Sequence, residues 1–464
     1  MSRADCRENA LERLCTLLGD RCSREAAVRE ARAGDASWHS GPPPDVVVFP
    51  ESTEEVSAIA AICHDARMTI IPRGTGTAVE GGVIATSGGV CLDLCRMNRI
   101  TAIHPQDRDA VVEAGVTRKQ LNAALLEQQT GLFFPVDPGA DASLGGMAAT
   151  CASGSAAVGY GTMRDNVLGL TAVLADGRIL RTGTRAGKSS AGYDLTRLLV
   201  GSEGTLAIIT EVTLRLSRLP RAIVAGTCAF EQEDRAVAAV LDVLAAGVRP
   251  VRMELLDAVQ MAAVNAYSQL GCRESPTLFF ELHGGPAAVA EQAEEVERIF
   301  SACGGFEVQH ATEQAERDRL WQARHDAYFA SLALRPGGAG YVTDVCVPVS
   351  RLAECVRRAR EHLQHTNIPC PLFGHVGDGN FHVVFVIDPH SAAELAEVRG
   401  IQARIVADAL ALDGTCSGEH GIGLGKLDAL EQQYGETLSA MRDIRRALDP
   451  LGLLNPGKVL RMPE

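Results

Sequence analysis

Glycine-rich segments in the first half of the chain constrain its fold more than any other feature of the sequence. Five of them lie in one stretch, at residues 136–140, 143–146, 152–154, 159–161 and 201–204. Glycine lacks a Cβ atom, so the backbone at these positions can approach a bound molecule closely. A domain that only has to fold rarely needs so many such positions. The pattern therefore predicts a long ligand that lies against the backbone.

Another glycine segment, Arg73-Gly-Thr-Gly-Thr77, directly follows a predicted strand. Its backbone N–H groups and threonine hydroxyls suit phosphate oxygens, although a tight strand-to-turn connection explains the segment equally well. It is not a nicotinamide fingerprint, because Val79 occupies the position of the third glycine. Segment 183–189 is not a Walker A loop, because three residues separate its glycines where four are required.

Composition excludes several classes of protein. The 464 residues fit two or three domains, and 46% hydrophobic with 22% charged residues is ordinary for a folded protein. The net charge is −14 with no basic stripe, so nucleic acid is not an expected partner. No run approaches the roughly 18 apolar residues of a membrane span. The 14 cysteines include no C-x-x-C pair, which favours reduced thiols over a disulfide framework or an iron–sulfur cluster.

The amino terminus has neither the apolar segment of a secretory signal nor the acid-poor composition of a transit peptide. We therefore expect a cytoplasmic protein, with peripheral attachment at the inner membrane as an alternative. Pro220 closes the glycine-dense block, and strands then alternate with longer helices. This change of pattern indicates a second domain.

Two histidines flank a turn in that second half, in Phe373-Gly-His-Val-Gly-Asp-Gly-Asn-Phe-His382. Gly-Asp-Gly-Asn is turn chemistry, and a hairpin would bring His375 and His382 towards one metal ion. Solvated or structural histidines are the alternative. Glu419 and His420 stand together in a later glycine-rich loop and could add a ligand and a base, although a helix cap followed by a turn would also explain them. The spacing does not choose among Zn²⁺, Mn²⁺, Fe²⁺ and Co²⁺.

A third element is the helix-like stretch 320–328. Helical spacing predicts that Trp321, Arg324 and Tyr328 share one face. A surface arginine beside a packed tryptophan is the alternative to an anion-binding role.

The glycine segments resemble the FAD-binding domain of the vanillyl-alcohol oxidase/PCMH flavoprotein family, through 72–77, 137–139, 144–146, 153–154 and 201–209. The resemblance implies that 73–77 hold the FAD pyrophosphate, that 137–154 line the ribityl chain and the isoalloxazine ring, and that Ile208 and Ile209 lie near the adenine. Relatives with covalent flavin often carry histidine where this chain has Thr77, so non-covalent FAD is implied. The implied cofactor-binding residues are Pro72, Arg73, Gly74, Thr75, Gly76, Thr77, Asp137, Pro138, Gly139, Ser143, Gly145, Gly146, Ser153, Gly154, Gly161, Glu203, Gly204, Ile208, Ile209 and Asn455.

The second half resembles the C-terminal domain of FAD-linked D-2-hydroxyacid dehydrogenases, through 374–382, 418–426 and 454–460. Segments 136–143, 162–167 and 341–348 are most similar to the cytochrome-type D-lactate branch of that family. The resemblance implies one divalent ion, zinc or manganese, on His375, His382 and Glu419. It also implies that His420 is the base and that Arg324 binds the substrate carboxylate.

The resemblance also implies the architecture. An α+β fold is expected, with a two-subdomain PCMH-type FAD-binding domain and an α+β substrate or cap domain built on an antiparallel sheet. The expected parts are an N-terminal helical segment at 1–41, the FAD-binding domain at 42–220, the cap domain at 221–425, and a C-terminal segment at 426–464 that returns to the FAD domain.

One departure from the family pattern bears on the substrate. The hydroxyglutarate branch carries a lysine and an asparagine where this chain has Val342 and Val384. No group remains there to hold a second carboxylate, so lactate or a similar short hydroxy acid is favoured, with FAD reduced by hydride transfer. A flavin subunit of a glycolate oxidase complex and a flavin-free metal-dependent hydrolase or metal-binding module are the alternatives. A cytochrome, a quinone or an electron-transfer flavoprotein is expected as electron acceptor, and the oligomeric state stays open, with a homodimer among the alternatives.

Overall fold

The computed structural model describes residues 3–463, which form two compact units. The first unit comprises residues 3–153, 161–219 and 419–463, and the second comprises 154–160 and 220–418. The first two residues of the predicted N-terminal helical segment lie outside the described residues. No helix within 3–463 is long and apolar enough to cross a membrane.

Helices occur throughout both units. They are α1 Arg3–Leu18, α2 Ala26–Glu30, α3 Thr53–Ala66, α4 Arg118–Glu127, α5 Leu144–Thr150, α6 Ala157–Tyr160, α7 Met163–Asn166, α8 Leu195–Leu199, α9 Glu233–Ala245, α10 Ala258–Ser268, α11 Pro286–Ala302, α12 Gln314–His325, α13 Ala327–Ala333, α14 Leu352–Leu363, α15 Ala392–Ala411, α16 Leu427–Tyr434 and α17 Leu438–Leu448. Short 3₁₀ helices lie at Gly19–Arg21, Leu94–Arg96, Val349–Arg351 and Gly435–Thr437.

The strands are mostly short. They are β1 Cys22–Ser23, β2 Val46–Val48, β3 Ile70–Arg73, β4 Val90–Asp93, β5 Ile100–His104, β6 Asp109–Glu113, β7 Leu132–Phe133, β8 Val167–Val173, β9 Ile179–Gly183, β10 Ile208–Arg215, β11 Ser217–Arg218, β12 Ala222–Ala229, β13 Arg252–Leu256, β14 Thr277–Gly284, β15 Phe306–Ala311, β16 Ala339–Val342, β17 Val345–Cys346, β18 Leu372–Gly374 and β19 Asn380–Ile387.

The first unit contains two principal sheets, each with its own core. One has the order β1-β2-β4-β3, with β2, β4 and β3 parallel, and α1 and α3 pack on it. The helix α3 begins at Thr53, because the hydroxyl of Ser52 accepts a hydrogen bond from the Glu55 N–H and caps its first turn. The other sheet is antiparallel with the order β5-β6-β10-β8-β9. Strand β10 serves both cores, because successive side chains in a strand point to opposite faces.

The second unit is built on an antiparallel sheet of order β15-β12-β14-β13-β18-β19-β16, with β17 also paired to β19. Helices α10, α12 and α13 pack on one face through an apolar cluster that includes Leu256, Phe279 and Phe373. The α+β class and the antiparallel cap sheet predicted from the sequence are confirmed.

One sequence prediction about this unit was wrong in detail. The helix expected across 320–328 is interrupted, because α12 ends at His325 and α13 begins at Ala327. Asp326 lies at the junction, where its carboxylate accepts hydrogen bonds from Gln322 and from Ser268 of α10. Trp321 and Arg324 therefore share α12, whereas Tyr328 belongs to the next helix.

The C-terminal segment is hydrogen-bonded into the first unit. Leu454 pairs with Ile70 beside β3, and the side-chain amide of Asn455 donates to the carbonyl groups of Gly82 (2.9 Å) and Glu203 (2.7 Å). The ammonium group of Lys458, which is fully buried, donates to the Ile84 carbonyl. In sequence order, the second unit gives way to the first after residue 418, whereas the sequence placed that change at 425/426.

The buried Lys458 predicts a pH dependence of stability. Burial lowers its pKa from the ordinary 10.5 to about 8, so between these values the unfolded chain binds more protons than the folded one. The cost of burying the charged amine is full below about pH 8 and is relieved as the pH rises towards 10.5. Relative to Lys458→Met, the wild type should gain apparent thermal stability over this window in calorimetric scans.

The control for this comparison is Lys188→Met, which alters an exposed lysine of the same unit. It should track the wild type at every pH. If the difference between the wild type and Lys458→Met were flat from pH 8 to pH 10.5, the lowered pKa would be contradicted.

Candidate active site

The predicted histidine hairpin is present in the second unit. Strands β18 and β19 are antiparallel, with Phe373 opposite His382, and the carbonyl of His375 accepts the backbone N–H groups of Asp378 (3.0 Å) and Asn380 (3.2 Å) across the turn. The imidazole centroids of His375 and His382 lie 5.6 Å apart, and a ring nitrogen of one lies within 4.8 Å of a ring nitrogen of the other. Both residues are buried. The structure therefore brings together the two imidazoles that the sequence paired.

Hydrogen bonds assign the tautomers of both rings. His382 Nδ1 lies 3.1 Å from the Thr343 carbonyl oxygen, which can only accept, so Nδ1 carries the proton. His375 Nδ1 lies 2.6 Å from Oε1 of the fully buried Glu254, and a carboxylate likewise accepts. With Nδ1 as the donor, Nε2 is the nitrogen of each ring that can offer a lone pair to a metal.

Asp344 joins the hairpin to the segment that precedes Glu419. Its Oδ1 accepts the side-chain amide of Asn380 (2.8 Å), and its Oδ2 accepts the Ser417 hydroxyl and the Gly418 N–H, each at 2.9 Å. Asp344 Oδ1 also lies 3.8 Å from His382 Nδ1. The chain therefore leaves the second unit beside the histidine pair, and Glu419 is the next residue.

Arg324, the predicted carboxylate anchor, is buried on α12 against β13. Its Nε and Nη2 both donate to Oε2 of Glu254, at 2.9 and 2.6 Å, and its guanidinium carbon lies 4.9 Å from the centre of the Phe373 ring. Glu254 thus uses one edge of the guanidinium. The N–H groups of Nη1 lie at the other end of the planar guanidinium.

Two valines occupy neighbouring strands of the sheet that carries His382. Val384 lies opposite Val342 in the sheet, and both belong to the cluster that contains Phe373 and Trp321. The two positions at which the sequence lacks a lysine and an asparagine are therefore apolar, with Val384 on the strand that carries His382 and Val342 on the neighbouring strand β16.

His420, the predicted base, lies in the first unit beside acidic groups. Its Nδ1 is 4.0 Å from Oε1 of Glu80, and its Nε2 is 3.9 Å from a carboxylate oxygen of Glu419. Lys426, which is buried, places its Nζ 3.3 Å from the same Glu80 oxygen. Glu80 thus stands between a histidine and a lysine.

The predicted phosphate loop of residues 73–77 lies against the start of α5. The Ser143 N–H donates to the Thr75 hydroxyl (3.3 Å), and a Cβ added to Gly74 would lie 2.1 Å from Ser143 Oγ. Arg73 donates to the Gly34 carbonyl (2.8 Å), so its guanidinium also braces the N-terminal segment. Among the described residues, Ser143 Oγ is buried without a hydrogen-bond partner.

Glu203 lies in the loop that follows α8 and binds the backbone of the segment around residues 422–423. Its buried carboxylate accepts the N–H groups of Ile422 (2.6 Å) and Gly423 (2.9 Å), and burial raises its pKa. Asn455 Oδ1 is buried without a partner among residues 3–463. A ligand with many polar atoms would satisfy this amide oxygen and the Ser143 hydroxyl, so these residues fit FAD.

The remaining predicted cofactor residues differ in burial and in backbone conformation. Asp137 is buried, while Pro138 and the exposed Gly139 follow it towards solvent, and Gly204 and Gly161 adopt positive φ angles of 69° and 75°. Ile208 and Ile209 instead pack their side chains in the two cores of the first unit. Gly154 belongs to the second unit. The other predicted positions belong to the first unit, namely Pro72, Gly76, Thr77, Gly145, Gly146 and Ser153.

Sequence reasoning missed Glu254 and Glu80. Glu254 had a detectable signal, since it is the single carboxylate within the strand Arg252–Leu256 and is flanked by Met253 and Leu255. A lone acid on a buried strand requires a partner. Glu80 carried no comparable signal, because its partners Lys426 and His420 are distant in sequence.

Comparison with known family models identifies the family of the chain. Residues 44–183 match the model described as FAD binding domain, and residues 196–459 match the FAD linked oxidases, C-terminal domain. The chain belongs to the family of FAD-linked oxidases, and it is an FAD-dependent oxidoreductase. The sequence-based recognition of the family, the fold and the flavin cofactor is confirmed.

Individual relatives of the chain include D-lactate dehydrogenases and a glycolate oxidase subunit. The chain is 51% identical over 443 residues to the probable mitochondrial D-lactate dehydrogenase of Danio rerio, covering 95% of this chain and 89% of that protein. It is 45% identical to the cytochrome-type mitochondrial D-lactate dehydrogenase of Arabidopsis thaliana (90% and 73% covered). It is 36% identical to glycolate oxidase subunit GlcD of Bacillus subtilis (90% and 89% covered). The predicted membership in the FAD-linked D-2-hydroxyacid dehydrogenases is confirmed.

A solved structure shares the fold. Substrate-bound p-cresol methylhydroxylase superposes with a TM-score of 0.81 at 20% identity, covering 98% of this chain and 96% of that chain. This supports the predicted PCMH-type architecture.

The open surface at Gly139 predicts the effect of a single added methyl group. No atom lies within 4 Å of a Cβ built there, so Gly139→Ala should fold normally. If FAD lies against this backbone, the methyl group should weaken FAD binding roughly tenfold through overpacking, as measured by quenching of flavin fluorescence.

Gly187→Ala is the matched control, because its Cβ is equally unobstructed in an exposed loop. It should leave the FAD dissociation constant unchanged. Wild-type FAD affinity in Gly139→Ala would place the cofactor elsewhere.

Proposed function

We propose that this protein oxidises D-lactate, or a closely related small D-2-hydroxy acid, to the 2-keto acid. The observation that carries the proposal is the 51% identity to a relative named probable D-lactate dehydrogenase. The apolar residues Val342 and Val384 support it, because valines offer no polar group to bind a second carboxylate and are compatible with a methyl tail.

One divalent ion, zinc or manganese, would be held by His375, His382 and Glu419. The support is the tautomer of the two histidines, whose Nδ1 atoms are both committed to acceptors, and the position of Glu419 one residue after the anchored Gly418. Two imidazoles and a carboxylate form a ligand set that either ion accepts.

The bound groups would supply what side chains lack: the ion polarises the substrate hydroxyl, and FAD accepts the hydride from the α-carbon. His420 takes the hydroxyl proton, and the nearby Glu80 carboxylate stabilises the imidazolium that results. Arg324 binds the substrate carboxylate and fixes its orientation. The product is the 2-keto acid.

The reduced cofactor requires an electron acceptor. The name of the Arabidopsis relative specifies a cytochrome, and we propose a cytochrome, a quinone or an electron-transfer flavoprotein for this chain. A cytoplasmic location stays a prediction, and the Danio and Arabidopsis relatives are named as mitochondrial.

A flavin subunit of a glycolate oxidase complex is the second candidate, favoured by the 36% identity to the Bacillus subtilis subunit. The flavin-free hydrolase considered from the sequence is not retained, because residues 44–183 match an FAD binding domain. The two remaining candidates differ in whether the isolated chain turns over D-lactate in preference to glycolate.

Dye-linked turnover of the isolated chain tests the proposal. The wild type should reduce an artificial dye with D-lactate and much more slowly with glycolate or L-lactate. His420→Ala should retain FAD but lose turnover by about 10²–10⁴-fold, the usual contribution of a general base. Turnover of glycolate equal to that of D-lactate would count against D-lactate as the substrate. Unchanged turnover in His420→Ala would count against His420 as the base.

The metal proposal predicts the effect of removing one ligand. His382→Ala should bind no stoichiometric Mn²⁺ after dialysis against a chelator, whereas the wild type should rebind about one ion and recover activity. The exposed His365→Ala, on the same unit, is the control and should rebind the ion as the wild type does. Full activity of the wild type in the metal-free state would contradict the proposal.

A further inference from the structure

Glu254 occupies an unusual position in the second unit. Its side chain has no exposed surface, yet both of its carboxylate oxygens have charged or chargeable partners. Oε1 accepts His375 Nδ1 at 2.6 Å, and Oε2 accepts Arg324 Nε and Nη2 at 2.9 and 2.6 Å. One carboxylate therefore holds two residues to which the proposed function gives separate tasks.

Burial makes this arrangement rigid. A buried carboxylate without partners is strongly unfavourable. The two oxygens of Glu254 bind one imidazole and one guanidinium group, which come from different elements. His375 follows β18, Arg324 lies on α12, and Glu254 lies in β13 between them. The orientation of either partner is thus fixed relative to the other through a single side chain.

We propose that Glu254 is a positioning residue that aligns the metal-binding nitrogen of His375 with the carboxylate-binding edge of Arg324. The inference rests on the proposed function. On the imidazole side, the bond to Nδ1 fixes the tautomer and turns the lone pair of Nε2 towards the ion. On the guanidinium side, the bonds to Nε and Nη2 leave the Nη1 end to receive the substrate carboxylate.

The neighbouring strand provides a natural control. Glu281, in β14, is also buried and also contacts a histidine, since His283 Nε2 lies 2.7 Å from its Oε1. Its Oε2 accepts the Trp321 indole N–H. Arg252 Nη1 also lies 3.4 Å from Oε1 of Glu281, so Glu281, like Glu254, is a buried carboxylate beside a histidine and an arginine. Among these partners, His283, Trp321 and Arg252, none is a proposed metal ligand or the proposed anchor.

The test measures Mn²⁺ binding and steady-state kinetics on the FAD-loaded full chain. Glu254→Gln, Glu254→Asp, Glu281→Gln and His382→Ala are stripped with a chelator and titrated with Mn²⁺ alone by isothermal calorimetry. Flavin absorbance confirms that each variant is folded and loaded. The KM and kcat for D-lactate are then measured at saturating Mn²⁺.

Glu254→Gln should weaken Mn²⁺ binding by about 10–100-fold, the range typical of lost partners of metal-bound histidine. Its KM for D-lactate should rise about tenfold at saturating Mn²⁺, with a smaller change in kcat, because the anchor loses its orientation. Glu254→Asp, which keeps the charge, should recover part of the Mn²⁺ affinity. Glu281→Gln should leave the Mn²⁺ affinity within about twofold of the wild type.

Wild-type Mn²⁺ affinity in Glu254→Gln, with binding abolished in His382→Ala, would overturn the role of Glu254 and leave the proposed metal site intact. Equal binding by the wild type and His382→Ala would overturn the metal site itself, and this inference with it. If Glu254→Gln does not fold, Glu254→Asp decides: a wild-type Mn²⁺ affinity and a wild-type KM in that variant would overturn the inference.

Discussion

The buried carboxylate of Glu254 is the interaction on which the proposed chemistry of the second unit depends. An ionised group inside a protein is stable only with charged or hydrogen-bonding partners, and here those partners are His375 and Arg324. The antiparallel sheet supplies the geometry, because β13 pairs with β18 and carries Glu254 to the histidine hairpin. Because Glu254 must be paired, its carboxylate holds the side chains of His375 and Arg324 in a defined arrangement.

The first unit uses buried polar groups in a comparable way. Glu203 and Asn455 tie three segments that are far apart in sequence, around residues 82, 203 and 422. The C-terminal segment therefore forms part of the first unit. Glycines in this unit have two roles: Gly145 packs against Ala114, whereas Gly139 faces open space.

Much of the fold was predictable because it depends on local patterns. Ser52 and Glu55 have the spacing of a capping box and Pro286 suits the first turn of a helix, and the helices Thr53–Ala66 and Pro286–Ala302 begin at these positions. The pairing of His375 with His382 was predictable because a short hairpin joins them. Glu80, which meets Lys426 only after the chain folds, was not, and neither was the helix break at Asp326, which a side chain from α10 helps to hold.

We propose that the two imidazoles of the hairpin present Nε2 to a single divalent ion. X-ray absorption at the manganese edge of the Mn²⁺-loaded, FAD-loaded protein tests it most directly. The wild type should show the multiple-scattering pattern of two imidazole ligands, and His382→Ala should show the pattern of one imidazole ligand. A shell of oxygen ligands alone, identical in both proteins, would contradict it.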